Sequence, residues 1–192
     1  QMPVSAGDRS VLRALAENVA DIAALPIQNR RRGMWSDLNG LKETKPMIWV
    51  DEVCWNEFEP CGELDLRTQS SFCQAIEKQL RRILYQWNHF QCDSVVEPVL
   101  YSPPCIADHG IGIQIRERTI ESEQDNEVVS HQYERQLDSE EDIEKIEFPE
   151  ITHDAAASEE LYQVYRHLFD GVIDVEKGGL AGFWFAPWDD IV

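Results

Sequence analysis

Two short apolar runs flanking one strongly amphipathic helix leave this sequence few architectures to choose from. The first run, Met47-Ile48-Trp49-Val50, follows Pro46. Proline lacks an N–H and suits a strand's first position, and the Met47 to Val50 run after it reads as a strand buried on both faces. Further on, Phe72, Ile76, Leu80, Ile83, Leu84, Trp87 and Phe90 recur at three- and four-residue steps. That spacing predicts a helix from Thr68 to Gln91 with one apolar stripe. Ser94 to Tyr101 reads as a second strand, which Pro98 ends or bulges near Glu97. A strand, helix, strand order implies parallel pairing through a crossover.

The rest of the chain extends this pattern. Val11, Leu12, Leu15, Val19, Ile22 and Ala23 predict a helix over Ser10 to Ala24, capped by Asp8 or Ser10 and ended by Pro26. Asn29 to Leu41 is a second, shorter helix weakened by Gly33, with a turn at Asn39-Gly40. Ile111, Ile113 and Ile115 alternate with polar residues, as in an antiparallel strand. Ser122 to Glu127 would turn it and Val128 to Leu137 return it, giving a β-hairpin. Ser139 caps a short acidic helix that Phe148-Pro149 ends. Asp154 or Ser158 starts another, with Leu161, Val164, Tyr165 and Leu168 on its apolar side. Gly171 to Val175 is a third strand. The expectation is one α/β domain over 1–192, with a helical lead-in over 1–44 and two βα units over 45–109. The hairpin excursion then takes 110–137, and helices with a third strand take 138–192. Three parallel strands leave an edge open, which predicts self-association or pairing with further chain.

Charge narrows the partners. Asp and Glu number 36 against 17 Lys and Arg, a formal charge of −19, and such a surface repels nucleic acid and anionic lipid. The charge is uneven, basic at Arg30-Arg31-Arg32 and acidic from Glu117 to Glu160. That unevenness reads first as solvated surface and second as a docking surface. No run has the length and purity of a membrane span, and the N-terminus lacks the pattern of a secretory signal. Five cysteines without a CxxC pair fit reduced thiols and a cytoplasmic location.

In α/β folds, ligands bind beyond the carboxyl ends of the strands. Asp51 and Glu52 follow the first run, while Glu97 and Tyr101 sit at the second. The candidate catalytic residues are therefore Asp51, Glu52 and Glu97, as acids, bases or orienting groups. Trp55, Tyr101 and Trp184 are the candidate substrate-binding residues, able to wall a flat ligand. Against these stand plainer readings, a solvated acid at a strand end or an aromatic in the core. The five histidines form no i, i+4 pair, and Gly178-Gly179-Leu180-Ala181-Gly182 lacks the order of a phosphate loop.

Three stretches carry a family resemblance: NRRRGMWSDLNGLKETKPMIWVDEVCWNEF (Asn29–Phe58), RRILYQWNHFQCDSVVEPV (Arg81–Val99) and FAPWDDIV (Phe185–Val192). Through them the chain resembles the uroporphyrinogen decarboxylase-like superfamily, and more closely a bacterial branch that begins with a similar Arg-rich helix. The resemblance implies a partial (β/α)₈ barrel, its amino-terminal half, with parallel strands, flanking helices and a small antiparallel hairpin. It also implies one of two activities, decarboxylation of a porphyrinogen's acetate arms or zinc-dependent methyl transfer between corrinoid carriers and thiols. The decarboxylases place arginines after the first strand. Here that stretch is Asp51-Glu52-Val53-Cys54-Trp55, and each carboxylate facing a substrate carboxylate would cost about 1 kcal/mol even when solvated. Methyl transfer is therefore expected over decarboxylation. The family's zinc ligands, a histidine and cysteines, come from the carboxyl half of the barrel, so no metal is assigned to these residues. Zinc and a corrinoid belong to the full family. The implied partners are a tetrapyrrole or corrinoid protein and the missing carboxyl half. The alternative is a non-catalytic half-barrel serving as an acidic interaction module.

Overall fold

The computed structural model describes residues 4–51, 53–55, 62–90, 92–113, 116–120 and 130–179. Where the sequence reads as one domain, the chain divides into two compact units, 1–102 with 160–177 and 103–159 with 178–192. The described residues are mixed α/β, with five helices, short strands and one parallel strand pair. No helix among them is long and apolar enough to cross a membrane.

In the first unit, α1 spans Ala6–Ala23 and buries Leu12, Ala16 and Val19 against α3, Ser71–His89. The cap of α1 is Ser5, whose hydroxyl accepts from Asp8 N–H at 3.0 Å, rather than Asp8 or Ser10. Asp8 is buried and accepts instead from Gln69 N–H at 3.0 Å. Ser70 caps α3 by accepting from Cys73 N–H. Of the expected stripe Ile76 and Leu80 are buried, while Phe72, Ile83, Leu84, Trp87 and Phe90 are half-buried; the buried face of α3 is completed by Cys73, Glu77, Arg81 and Tyr85. Between α1 and α3 lies α2, Pro26–Asn39, which opens on the proline expected to end α1.

The segment expected to be the first strand is not one. Residues 42–51 run without regular structure, and Ile48 and Trp49 are more than half exposed. The physical reason is Asp93. Its carboxylate accepts from Ile48 N–H at 3.0 Å and its own N–H donates to Ile48 O at 2.8 Å, so one residue, through side chain and backbone, holds the place a neighbouring strand would take. The second expected strand is present but shorter. β1 spans Val99–Ser102, starting just after Pro98, and pairs in parallel with β6, Asp174–Lys177, in the register Val99↔Asp174 to Ser102↔Lys177. Preceding β6 is α5, Ala155–Phe169, with Leu168 and Phe169 in the core. Arg9 and Arg13 of α1 donate to the carbonyls of His167, Leu168 and Asp170, satisfying the carboxyl end of α5 with positive charge.

The second unit is antiparallel. β2 (Ile106–Asp108) pairs with β5 (Ile151–His153), and β3 (Glu117–Ile120) pairs with β4 (Ser130–Tyr133). The β3–β4 pair is the expected hairpin, although Ile111 and Ile113 precede its first strand. Its tip, 121–129, and Ile115 lie outside the described residues. α4 (Glu140–Ile143) is the short acidic helix, and the Asp142 carboxylate reaches back to the N–H and hydroxyl of Ser139 at 2.9 and 3.0 Å. It ends well before Phe148-Pro149. Asp154 caps the start of α5 by accepting from Ala157 N–H at 2.8 Å.

Candidate functional site

A cleft of about 260 Å³ in the first unit is walled by one face of α3 (Ile83, Gln86 and Trp87) and by residues of the 49–51 and 94–99 segments. Asp51 and Glu97 both line it. Two of the six candidate residues thus meet in one concavity, across segments that the sequence separates by the whole of α3. Trp55 is elsewhere, packed edge-on against Tyr85 at 6.0 Å with the Arg82 guanidinium 4.9 Å above its ring. Tyr101 sits in the middle of β1, half exposed, between buried Leu100 and Ser102, and does not line the cleft. Glu52 and Trp184 lie outside the described residues.

The cleft is built by α2, through polar contacts rather than apolar burial. Gln28 is wholly buried; its Nε2 donates to Ile22 O at 3.2 Å and its Oε1 accepts from Val96 N–H at 3.0 Å. One turn on, Arg31 donates to Ser94 O at 2.9 Å and lies 5.1 Å from the Trp87 ring centroid. Arg32 binds both oxygens of Glu97 at 3.0 Å, and Trp35 Nε1 donates to Asp93 O at 2.8 Å. Positions 28, 31, 32 and 35 are one helical face, and that face holds the backbone from Asp93 to Val96 in place. These positioning residues were not singled out from the sequence. The signal that could have found them is hydrogen-bonding side chains at helical spacing, which a search for apolar periodicity passes over.

The far wall is fixed by Asp93. Lys45 Nζ lies 2.8 Å from both of its oxygens. Lys45 first, and then the N–H of Ile48, hold the Asp93 carboxyl below its ordinary range. Asp51, by contrast, has no hydrogen-bond or ion-pair partner among the described residues. The two carboxylates therefore differ: Glu97 is matched by Arg32, and Asp51 carries unbalanced charge.

Two other constellations have a chemical look. Glu77 accepts from Arg67 N–H at 3.0 and 2.9 Å, from Thr68 N–H at 2.8 Å and from Arg81 Nε at 2.7 Å. Burial pushes its carboxyl up, but the Thr68 N–H, Arg81 and the Arg67 N–H outweigh that and leave it below its ordinary value. This is a loop anchor, its two oxygens committed to three N–H groups. In the second unit, His153 Nε2 stands 2.9 Å from Ser158 Oγ, the spacing of a nucleophile and its base. However, the Ser158 hydroxyl donates to Asp154 O at 2.7 Å and accepts from Cys105 N–H at 2.9 Å. With its proton on that carbonyl, the serine joins loop to helix and offers no nucleophile. Among the described residues no three His, Cys, Asp or Glu side chains come together as a metal site. No protein-family model, no curated protein and no solved structure matches the chain.

Proposed function

We propose that the chain is a section of a uroporphyrinogen decarboxylase-like (β/α)₈ barrel, its amino-terminal half, that serves methyl transfer rather than porphyrinogen decarboxylation. The observation that carries this reading is the shared cleft of Asp51 and Glu97. The parallel β1–β6 pair, each strand with one neighbour among the described residues, supports it and is the natural seed for further barrel strands. At about 260 Å³ the cleft lies just below the usual 300–1,000 Å³ of small-molecule sites. It suits a methyl-bearing fragment better than a whole tetrapyrrole, which would lie across its rim. A corrinoid carrier, when bound, supplies the methyl donor or acceptor. The chain's own part is to seat the fragment against Trp49, Trp87 and Ile83, with Asp51 as the carboxylate open to take or give a proton and Glu97 fixed by Arg32. The unpaired thiols of Cys54, Cys73, Cys92 and Cys105 fit a cytoplasmic setting.

Methylcobalamin mixed with the protein and a thiol tests this reading by its visible spectrum. Saturable demethylation that Asp51→Asn weakens supports it. No binding and no turnover would favour the second reading, an acidic interaction module, for which the exposed acids Glu140, Glu141, Glu144, Glu147 and Glu150 speak. Sedimentation addresses the open strand edges. Concentration-dependent association is expected, and a monomer at high concentration counts against an incomplete sheet.

A further inference from the structure

The Asp51 cleft has a charge and a surface that select a particular kind of ligand. Among the described residues it is lined by two carboxylates and by no lysine, arginine or histidine. The nearby cations are committed elsewhere, Arg32 to Glu97 and Arg31 to Ser94 O and the Trp87 ring. Asp51 is thus left as the unbalanced group. Most of the remaining wall is apolar, with two indoles, Trp49 and Trp87, in it, and it is polar only at Gln86 and Ser94. Trp49 is 57% exposed, so its ring is open to an incoming group.

A primary ammonium needs acceptors for three N–H bonds, and the valine, isoleucine and indole walls that make up most of the lining provide none, leaving Gln86 and Ser94 as the acceptors besides the carboxylates. An anion would meet Asp51 unpaired. A cation whose charge is sheathed in methyl groups needs no hydrogen-bond acceptors and gains from both the indoles and the carboxylate. Trp87 already holds the Arg31 guanidinium 5.1 Å from its ring centroid, an instance of the same cation–π attraction at this wall. We infer that the cleft binds a small methylated cation, a quaternary ammonium or sulfonium head, seated between Trp49 and Trp87 with Asp51 as counter-charge. This deepens the methyl-transfer reading, because such a head is both a methyl source and a shape the cleft accommodates.

The test compares choline with its neutral isostere 3,3-dimethyl-1-butanol by calorimetry and by the indole N–H resonances of the full chain. Choline is expected to bind saturably and to shift the Trp49 resonance, assigned through Trp49→Phe. The isostere should bind at least about tenfold more weakly, equivalent to about 1.4 kcal/mol. Asp51→Asn, at an exposed position, should bring choline binding down to the level of the isostere. Equal binding of the two probes, or no saturable choline binding, overturns the inference. Choline binding without corrinoid demethylation would keep the methylated-cation site and discard methyl transfer. Demethylation without any preference for the charged probe would do the reverse.

Discussion

Arg32 and Glu97 meet fork to fork, guanidinium Nε and Nη2 each 3.0 Å from one carboxylate oxygen, 65 residues apart in sequence. The pair is partly solvated, its side chains 35% and 48% exposed. Exposed ion pairs contribute little to stability, so Arg32→Ala should cost less than about 1 kcal/mol in urea unfolding. Its effect should instead fall on Glu97, whose carboxylate would lose its fixed direction. Arg32→Lys keeps the charge but not the fork and should restore stability without restoring that direction. A loss of several kcal/mol from Arg32→Ala would mean the pair is structural.

Gln28 gives the contrasting case on the same face of α2. Its side chain is fully buried and is the partner of the buried Val96 N–H. Gln28→Leu keeps volume and leaves that N–H unsatisfied, at a cost of about 1–3 kcal/mol. Chemical denaturation should rank Gln28→Leu well below Arg32→Ala in stability. The reverse order would show that α2 docks through its charges rather than through its buried amide.

Glu77 makes stability depend on acid. Its folded carboxyl sits below the ordinary value of 4.5 because the Thr68 N–H, Arg81 and the Arg67 N–H together outweigh the upward push of burial. A carboxyl depressed on folding stabilises fully above its unfolded value, and that contribution is lost as pH falls through the folded one. Removing one partner of a buried pair costs about 3–5 kcal/mol, so Glu77→Ala should be severely destabilised at neutral pH. With Glu77→Gln, the gap to the parent chain should narrow as pH drops below 4.5. A gap constant from neutral pH to well below that value would refute the assignment.

Ser102 closes β1 with a hydroxyl that is buried and has no partner among the described residues. Burying such a group without a hydrogen bond is unfavourable. Ser102→Ala should therefore leave thermal stability unchanged or raise it by up to about 1 kcal/mol. A clear loss would reveal a partner for that oxygen.

How far the sequence foretold this arrangement depends on which physics each element uses. α3 was legible because apolar residues at helical spacing have one use, and Ile76 and Leu80 are buried as that pattern requires. Glu77 and Arg81 were not, because an i, i+4 acid and base read as a surface pair until their burial is known. Met47 to Val50 has the composition of a strand, but composition cannot supply a neighbour, and Asp93, through its carboxylate and its own N–H, took the hydrogen bonds a neighbour would have made. Asp51 and Glu97 were placed together by the idea that strand ends converge. They do share a cleft, although the Asp51 segment reaches it as loop. Trp55 does not line that cleft, because Tyr85 and Arg82, both on α3, offer it packing nearer at hand.

The end of α2 offers the simplest test of backbone strain. Leu41 has a φ of 57°, in the left-handed region, and its side chain is 95% exposed. The bonds from Gly40 N–H to Ser36 O and from Lys42 N–H to Asp37 O tie the helix end into this conformation. Glycine is the residue that normally occupies such a position, yet the glycine stands one place early, at 40, with a φ of −82°. A left-handed leucine costs about 1–2 kcal/mol that glycine would not. Glycine also gives back part of that gain through the freedom it adds to the unfolded chain. Since Leu41 buries almost nothing, Leu41→Gly should still raise unfolding stability by about 0.5–1 kcal/mol. Leu41→Val, β-branched and ill-suited to positive φ, should lower it. Unfolding curves in which glycine destabilises and valine does not would mean that the chain between α2 and Asp51 does not hold the left-handed turn.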